Sequence, residues 1–300
     1  MGQAALFSGQ GSQFVGMGHV LCAHFPNAIE CFARAEALLG CDLRKICWEG
    51  PLEALTTPEV CQPALYVAGY GAFLALRSSG RFGNLRVCGG FSLGEWTALA
   101  AAGSITFEDG LRMVALRAKY MRQAGEAVPG AMAALLGGER RAIEELCRIC
   151  AVAVANYNAP GQIVISGARE RVATALSRAA EFGVRRAVPL MVAGAYHSPL
   201  MAPARERFAK DMAALSIGAP SVPILSNVTG QAVEDPELIR HLLGKQITSP
   251  VRWEDCLQSA WSLGAREFVE CGAGNVLAGL TKKNLPAATS AVADDLLRAA

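Results

Sequence analysis

The feature that most restricts the fold of this chain is a serine between glycines, placed where an apolar strand meets a helix. Residues 85–88 have the short apolar run of a buried strand, and a helix is predicted over residues 93–102. The turn between them reads Gly90-Phe91-Ser92-Leu93-Gly94, which matches the pattern G-x-S-x-G. On such an elbow the serine occupies a strained turn that needs glycine neighbours, and its hydroxyl is exposed at a helix N-terminus. The sequence therefore predicts an α/β fold with Ser92 as a nucleophile.

A different pattern of predicted secondary structure, β-α-β-β-α-β, begins near residue 130. Strands are predicted over residues 131–136, 151–155, 162–166 and 187–192, and helices over residues 139–150 and 169–182. That order is the signature of a ferredoxin-like unit. We therefore predict a ferredoxin-like subdomain at residues 129–192, inserted into a larger α/β domain made of residues 1–128 and 193–300. The tail after Pro286 is predicted to be a frayed helix.

Composition narrows the functional class. The 300-residue chain is 52% hydrophobic with a formal net charge of +2, which excludes disorder. Its 28 basic residues are nearly balanced by 26 acidic ones, so no nucleic acid partner is expected. The best apolar run, residues 64–76, is shorter than the ~18 residues of a membrane span, and the N-terminus lacks a signal-peptide pattern. We therefore expect a cytoplasmic protein with no membrane partner.

The ten cysteines are scattered along the chain and are too dilute for a disulfide scaffold. Cys147 and Cys150 have C-x-x-C spacing, but they lie on a predicted helix with no second pair and no neighbouring histidine. We therefore expect buried thiols in a reducing compartment and no metal site.

A serine nucleophile needs a general base, and the chain has four histidines. His197 precedes Ser198 and Pro199, a pair typical of a helix start. The positive end of the helix dipole would disfavour the imidazolium there and keep a neutral base. His241 falls in a predicted helix and is expected to face solvent. His197 is therefore the predicted base for Ser92.

These residues resemble malonyl-CoA:acyl carrier protein transacylases and the acyltransferase domains of fatty acid and polyketide synthases. The resemblance covers roughly residues 3–284. Its segments are Gly9-Gln10-Gly11-Ser12-Gln13, Gln62-Pro63, the elbow up to Glu95, Leu116-Arg117, residues 194–201, residues 246–253, residues 270–277 and residues 279–282. The resemblance implies an α/β-hydrolase-like large domain with a parallel sheet around the ferredoxin-like insert.

The resemblance also implies a reaction, the ping-pong transfer of a malonyl group from malonyl-CoA to the phosphopantetheine thiol of acyl carrier protein. His197 would take the proton of Ser92, which would attack the thioester. The backbone N–H groups of Leu93 and Gln10 would hold the oxyanion. The family needs no metal and no permanently bound cofactor.

Three further residues receive roles from the resemblance. The backbone carbonyl of Gln246 would orient His197, so truncation of the Gln246 side chain is expected to matter little. Gln62 would lie near the substrate. Arg117 would bind the malonyl carboxylate, which a guanidinium recognises with two parallel charged hydrogen bonds. Helical spacing alone places Arg117 at the edge of an apolar face, where a surface arginine is equally possible.

Two positions depart from the family pattern. The residue before the nucleophile is usually histidine and here is Phe91, which removes a polar group from the cleft. In malonyl enzymes the segment that leads to the catalytic histidine is commonly Gly-Ala-Phe-His, and here Tyr196 replaces the phenylalanine. Methylmalonyl enzymes more often have Tyr-Ala-Ser-His. Residues 194–197 are therefore interpreted as the malonyl type.

Carrier proteins of this kind are acidic, as the resemblance implies, so a nearly neutral enzyme would need a local basic patch to bind one. The candidates are Arg185 with Arg186, and Lys282 with Lys283. Ordinary solvated surface is an equal alternative for both pairs. The enzyme is expected to be a monomer.

Three other functions stay open at this point. A stand-alone acyltransferase could load a polyketide assembly line. A serine thioesterase or esterase would order its triad as serine, acid and histidine, for which His241 is the later histidine. A non-catalytic carrier-protein docking subunit would not need Ser92, His197 and Arg117 together, and the serine would then only cap a helix.

Overall fold

The computed structural model describes residues 1–192 and 194–298, which form two sheets and the helices around them. The strands are β1 (Gly2–Phe7), β2 (Leu85–Gly90), β3 (Gly130–Gly137), β4 (Ala153–Ala159), β5 (Gln162–Ala168), β6 (Val184–Pro189), β7 (Ile224–Leu225), β8 (Ala232–Val233), β9 (Ala265–Cys271) and β10 (Thr289–Val292). The helices are α1 (His19–His24), α2 (Pro26–Leu39), α3 (Leu43–Glu49), α4 (Leu52–Thr56), α5 (Pro58–Ser78), α6 (Gly94–Ala101), α7 (Phe107–Ala127), α8 (Arg140–Cys150), α9 (Arg169–Arg178), α10 (Ala202–Met212), α11 (Pro236–Gln246), α12 (Trp253–Ser262), α13 (Val276–Asn284) and α14 (Ala293–Arg298). Ala179–Phe182 and Pro199–Met201 form short 3-10 helices.

The larger sheet has six strands in the order β10-β9-β1-β2-β7-β8. β1 is parallel to both of its neighbours, β10 is parallel to β9, and β7 is parallel to β2. The short β8 is antiparallel to β7. All six residues of β1 are buried, as expected where helices cover both faces of a parallel sheet. The predicted α/β class with a parallel sheet is confirmed, and the carboxyl ends of β1, β2 and β9 lie at one edge.

The smaller sheet has four antiparallel strands in the order β4-β5-β3-β6. One face packs against α8 and α9 around a core that includes Leu135, Ile143 and Val172. The other face turns toward the larger sheet, since Met132 belongs to the main core. The predicted order β-α-β-β-α-β is observed. The division of the chain at residues 129 and 192 stays a prediction.

The structure corrects two predicted segments. The last strand of the small sheet is predicted at residues 187–192, but β6 covers Val184–Pro189 because Val184 pairs with Gly137 and packs into the helix-covered core. The tail after Pro286 is predicted to be a frayed helix, but Thr289–Val292 forms β10 beside β9 before α14 begins. Both errors concern edge strands, whose pairing partner decides their position more than their own composition does.

Among the described residues, no helix combines the length and the apolar character needed to cross a membrane. The two 21-residue helices, α5 and α7, instead pack against each other. Nine of the ten cysteines are buried free thiols, and Cys41 is exposed. Cys147 and Cys150 lie on α8, as the sequence predicts.

Candidate active site

Ser92 lies between β2 and α6 with a backbone φ of +54°, in the left-handed region that is strained for a residue with a side chain. Gly90 and Gly94, on either side of the serine, leave no room for a side chain. A Cβ on Gly90 would lie 1.9 Å from the backbone of Gly94. A Cβ on Gly94 would lie 2.2 Å from the carbonyl oxygen of Phe7. The turn that the glycine pattern predicts is therefore present, and any larger residue at either position would force it open.

Asn227 holds this turn from the loop after β7. Its Oδ1 accepts the Ser92 N–H at 2.7 Å, and its Nδ2 donates to the Gly90 carbonyl at 2.8 Å. The side chain is fully buried. Sequence reasoning missed Asn227 because its role depends on a loop that returns to the elbow from 135 residues away.

His197 contacts the nucleophile, with 2.8 Å between its Nε2 and Ser92 Oγ. Its Nδ1 lies 3.1 Å from the carbonyl oxygen of Gln246 and 3.0 Å from that of Ser249. Because carbonyl oxygens only accept hydrogen bonds, Nδ1 carries the proton and Nε2 is left to accept from the serine. The resemblance implied the Gln246 carbonyl, while the Ser249 carbonyl was missed. A backbone contact leaves no residue-type signal in the sequence.

The His197 imidazole is held neutral by its surroundings. Burial lowers its pKa to about 4, with the positive charge of Arg117 as the next cause, and the two carbonyl contacts oppose the shift. The sequence attributes a neutral base to the dipole of a following helix. The neutral state is supported, but burial is the main cause, and Pro199–Met201 is only one turn of 3-10 helix.

Arg117 reaches the same hydroxyl from α7 and is 1% exposed, which is deeper than the semi-buried position its helix pattern predicts. Its Nη2 donates to Ser92 Oγ at 2.8 Å and to Gln246 Oε1 at 3.1 Å, and its Nη1 donates to Gln62 Oε1 at 2.8 Å. All three acceptors are uncharged, and Nε has no partner within the described ranges. Burial lowers the pKa of Arg117 to about 10, against the opposing effect of the Glu95 charge, so the guanidinium stays cationic at neutral pH.

The Gln246 side chain is part of the site, which corrects the expectation that truncating it would matter little. It is 1% exposed. Its Nε2 donates to Glu95 Oε2 at 2.6 Å and to the Ser92 carbonyl at 2.9 Å, while Oε1 accepts from Arg117. Removing this amide would cost Arg117, Glu95 and the Ser92 carbonyl one buried hydrogen bond each. Its position at the end of α11 explains why one residue supplies both a carbonyl and an amide.

Glu95 places a buried carboxyl group one residue beyond the elbow. It lies on α6, is 3% exposed and also accepts the Asn227 N–H at 3.2 Å. Burial raises its pKa to about 7, and hydrogen bonds from Gln246 and Asn227 and the charge of Arg117 oppose the shift. The sequence contains a signal for this group, a single acid within an apolar helix, but it does not say what the acid contacts.

A cavity of about 120 Å³ opens beside these groups. Leu93 and Gln10 line it, and within the described part of the chain neither backbone N–H donates to a backbone acceptor. Phe91 also lines it and packs edge-on against Trp253, with 5.5 Å between ring centroids. Tyr196 is 6% exposed, and its hydroxyl has no partner among the described residues. The cavity is therefore small, largely apolar and next to the serine.

Comparison with known proteins identifies this arrangement. The sequence matches the family model of the acyl transferase domain over residues 5–295. The chain belongs to the acyl transferase domain family. It is 39% identical to the malonyl CoA-acyl carrier protein transacylase of Bacillus subtilis (strain 168), over 97% of this chain and 93% of that protein.

Solved structures of acyl transferases share the fold. An acyl carrier protein S-malonyltransferase from Vibrio cholerae superimposes with a TM-score of 0.93 and 38% identity, over 97% of this chain and 96% of that one. A type II polyketide synthase acyl carrier protein in complex with its malonyl-transacylase gives a TM-score of 0.93 and 35% identity, with the same coverage. The protein is therefore an enzyme that transfers acyl groups, and the non-catalytic docking alternative is wrong.

The acyl transferase site also differs from that of the esterase alternative. An esterase triad needs a carboxylate on the histidine, whereas His197 Nδ1 contacts two carbonyl oxygens. His241, the later histidine, is exposed on α11. No cluster of three or more His, Cys, Asp or Glu side chains suited to a metal ion occurs in the described residues.

The four basic residues predicted to bind a carrier protein are all exposed. Arg186 pairs with Leu136 on β3, and Leu136 pairs on its other side with Gln162. Lys283 Nζ donates to Gln162 Oε1 at 3.1 Å. One row across the small sheet therefore runs from Arg186 through Leu136 and Gln162 to Lys283. Arg185 falls at the register shift between β3 and β6, and its side chain lies beside Gly137.

Proposed function

We propose that this enzyme transfers a malonyl group from malonyl-CoA to the phosphopantetheine thiol of acyl carrier protein through a malonyl-serine intermediate. The observation that carries the proposal is Arg117, a buried cation that donates to Ser92 Oγ at 2.8 Å and otherwise contacts only side-chain amides. A buried cation with no carboxylate in direct contact is costly, so the site favours an anionic acyl group. The transacylases of known structure described above support the same reaction.

Loading begins with the serine. His197 Nε2 accepts the Ser92 proton as Oγ attacks the thioester carbonyl, and the N–H groups of Leu93 and Gln10 hold the oxyanion. Collapse of the tetrahedral intermediate breaks the carbon–sulfur bond, and the imidazolium returns its proton to the CoA thiolate. The product is an ester of malonate on Ser92.

The carboxylate of the acyl group would take up the donors of Arg117. Nη2 exchanges its contact with Ser92 Oγ for a carboxylate oxygen, and Nε supplies a second donor. Gln62 and Gln246 keep the guanidinium in place without neutralising it. The cavity of about 120 Å³ suits a short acyl chain rather than a long one.

Transfer repeats the same steps in reverse with the carrier thiol as nucleophile and His197 as base. We place the acidic carrier protein on the cleft-facing side of the small sheet. Arg186 lies opposite Leu136, four residues along β3 from the cavity-lining Met132, which is about 13 Å at the usual strand rise. Lys283 borders the same row, while Arg185 and Lys282 add charge at its margins.

Several further assignments accompany this function as proposals. The larger sheet and its helices would be α/β-hydrolase-like, with residues 129–192 as a ferredoxin-like insert. Monomeric state and a cytoplasmic location remain predictions, the latter supported by nine buried free thiols. The same chemistry serves carrier proteins of fatty acid synthesis and of polyketide synthesis, and the identity of the carrier protein decides between the two pathways.

A radiolabelled transfer assay tests the proposal. With malonyl-CoA and phosphopantetheinylated carrier protein, label should move to the carrier protein, and without carrier protein it should remain on the enzyme. Continuous release of free malonate instead would indicate a thioesterase. Comparison of carrier proteins from fatty acid and polyketide systems would then identify the preferred acceptor.

A further inference from the structure

Glu95 introduces a carboxyl group into the network around Ser92 that the reaction described above does not use. Its Oε2 accepts from Gln246 Nε2 at 2.6 Å, and the same amide accepts from Arg117 Nη2 at 3.1 Å. A carboxyl group and a guanidinium are thus joined by one bridging amide. Glu95 is 3% exposed and Arg117 is 1% exposed, so solvent screens their interaction little.

The charge state of this network at neutral pH depends on Glu95 alone. Arg117 on α7 stays cationic, since its pKa is about 10. His197 is neutral, since its pKa is about 4. The Cys256 thiol on α12, which senses the Glu95 charge, has a pKa well above its usual range and is also neutral. From the other elements packed against α6, which are β1, β2, α5 and β7, no further charge shifts the pKa of Glu95.

A dicarboxylic acyl group adds a third charge to this site. With Glu95 ionised, the charges of Arg117 and Glu95 sum to zero before the substrate binds. The carboxylate of the substrate then gives the site a buried net negative charge. With Glu95 protonated, the substrate carboxylate instead neutralises Arg117. Two carboxylates that share one buried cation cannot both remain ionised without cost, and the weaker competitor takes up a proton.

We propose that Glu95 takes up a proton when the malonyl group binds. The charge of Arg117 is then balanced by the substrate carboxylate and no longer by Glu95. The inference depends on the malonyl specificity proposed above. The proton comes from solvent, adds to the Glu95 carboxylate and breaks no bond of the substrate. Glu95 is thereby a specificity-determining residue that acts on the substrate through Gln246 and Arg117.

The pKa of Glu95 lies where this role needs it. Burial raises its pKa to about 7, so the acid and its carboxylate coexist near neutral pH. A bound malonyl carboxylate raises that pKa further, and substrate therefore binds more tightly to the protonated enzyme. As pH rises through the pKa of the free enzyme, ionised Glu95 competes for Arg117 and malonyl loading weakens. Acetyl-CoA has no carboxylate and is not subject to this competition.

Kinetics with two substrates test the proposal. We expect the ratio of kcat/KM for malonyl-CoA to kcat/KM for acetyl-CoA to fall about tenfold between pH 6 and pH 9, the change that a one-unit pKa shift produces. In Glu95→Gln the ratio should be independent of pH, since glutamine does not ionise. Glu270→Gln is the matched control, because Glu270 is another buried acid with a raised pKa, on β9, bonded to the Ala278 N–H. The Glu270→Gln variant should show the same dependence of the ratio on pH as the wild type.

A flat ratio in the wild type, or an equal slope in Glu95→Gln, would overturn the inference. A second measurement needs no change at Glu95. In Ser92→Ala, calorimetric titration with malonyl-CoA and acetyl-CoA in phosphate and in Tris at pH 7.5 gives the number of protons taken up on binding. We expect uptake with malonyl-CoA only, and equal uptake for both would contradict the role of Glu95. Failure of the wild type to load malonate at all would contradict the proposed function instead.

Discussion

Arg117 and Arg122 lie five residues apart on α7 but occupy opposite electrostatic environments. Arg122 is 38% exposed and forms ion pairs with Glu59 and Glu126, which raise its pKa. Arg117 is buried, contacts only uncharged oxygens, and has a lowered pKa. The Arg122 charge is already matched by protein carboxylates, whereas much of the Arg117 charge is available to a ligand. The comparison shows that an arginine paired with carboxylates at the surface differs from a buried arginine that can bind the carboxylate of a substrate.

The same contrast applies to the histidines, where we expect the largest effect. His197→Ala removes the general base and should lower the malonyl loading rate by about 10²–10⁴-fold. His241→Ala, at the exposed site on α11, should leave the rate unchanged. Stopped-flow measurement of CoA release compares the two. A larger loss in His241→Ala would favour an esterase-like triad.

Arg117→Ala should cost about 2–5 kcal/mol in recognition of the malonyl carboxylate, or at least about 30-fold in malonyl kcat/KM. Acetyl-CoA lacks that carboxylate and should become the relatively better substrate. Arg122→Ala is the matched control on the same helix and should leave the malonyl-to-acetyl ratio as it is. An unchanged ratio in Arg117→Ala would break the comparison between the two arginines.

Gln246→Ala should have an intermediate effect. It preserves the carbonyl that contacts His197 but leaves Arg117 and Glu95 without their shared partner, at a cost of about 1–3 kcal/mol. We expect roughly a tenfold loss of malonyl kcat/KM and a lower free energy of unfolding. Lys245→Ala changes the exposed neighbour and should do neither. If Gln246→Ala retained the wild-type kcat/KM, only the backbone carbonyl of Gln246 would contribute to the reaction.

The smallest effect is expected at the surface. Arg186→Glu should slow malonyl transfer to carrier protein several-fold, with a strong dependence on salt, because rim charges act mainly on the association rate. Loading from malonyl-CoA should change little. Arg141→Glu is the matched control, because Arg141 is exposed on α8, which covers the opposite face of the small sheet. Equal losses in both half-reactions, or equal effects of the two variants, would argue against this docking surface.

The parts of the site that sequence reasoning found are those whose chemistry is local. The glycines around Ser92 are needed by the turn itself, so the pattern and its flanking strand and helix predict the elbow, while the parallel sheet is implied by the family resemblance. The placement of Arg117 was ambiguous from helical spacing, because one helix does not show what its edge will face. The family resemblance was needed to select it.

The parts that were missed depend on chain segments meeting in three dimensions. Asn227 and the side chain of Gln246 approach the elbow from a loop and a helix end 135 and 154 residues away, and Ser249 contributes only a backbone oxygen. β10 was missed for a related reason, since an Ala-rich segment became a strand through pairing with β9. Local propensity does not contain these partners.

Intact-protein mass spectrometry after exposure to malonyl-CoA tests the central claim most directly. The wild-type enzyme should gain the mass of one malonyl group, and peptide mapping should place it on Ser92. Ser92→Ala should gain none while keeping its circular dichroism spectrum. A malonyl adduct that persists on the alanine variant, or one located on another residue, would contradict the account.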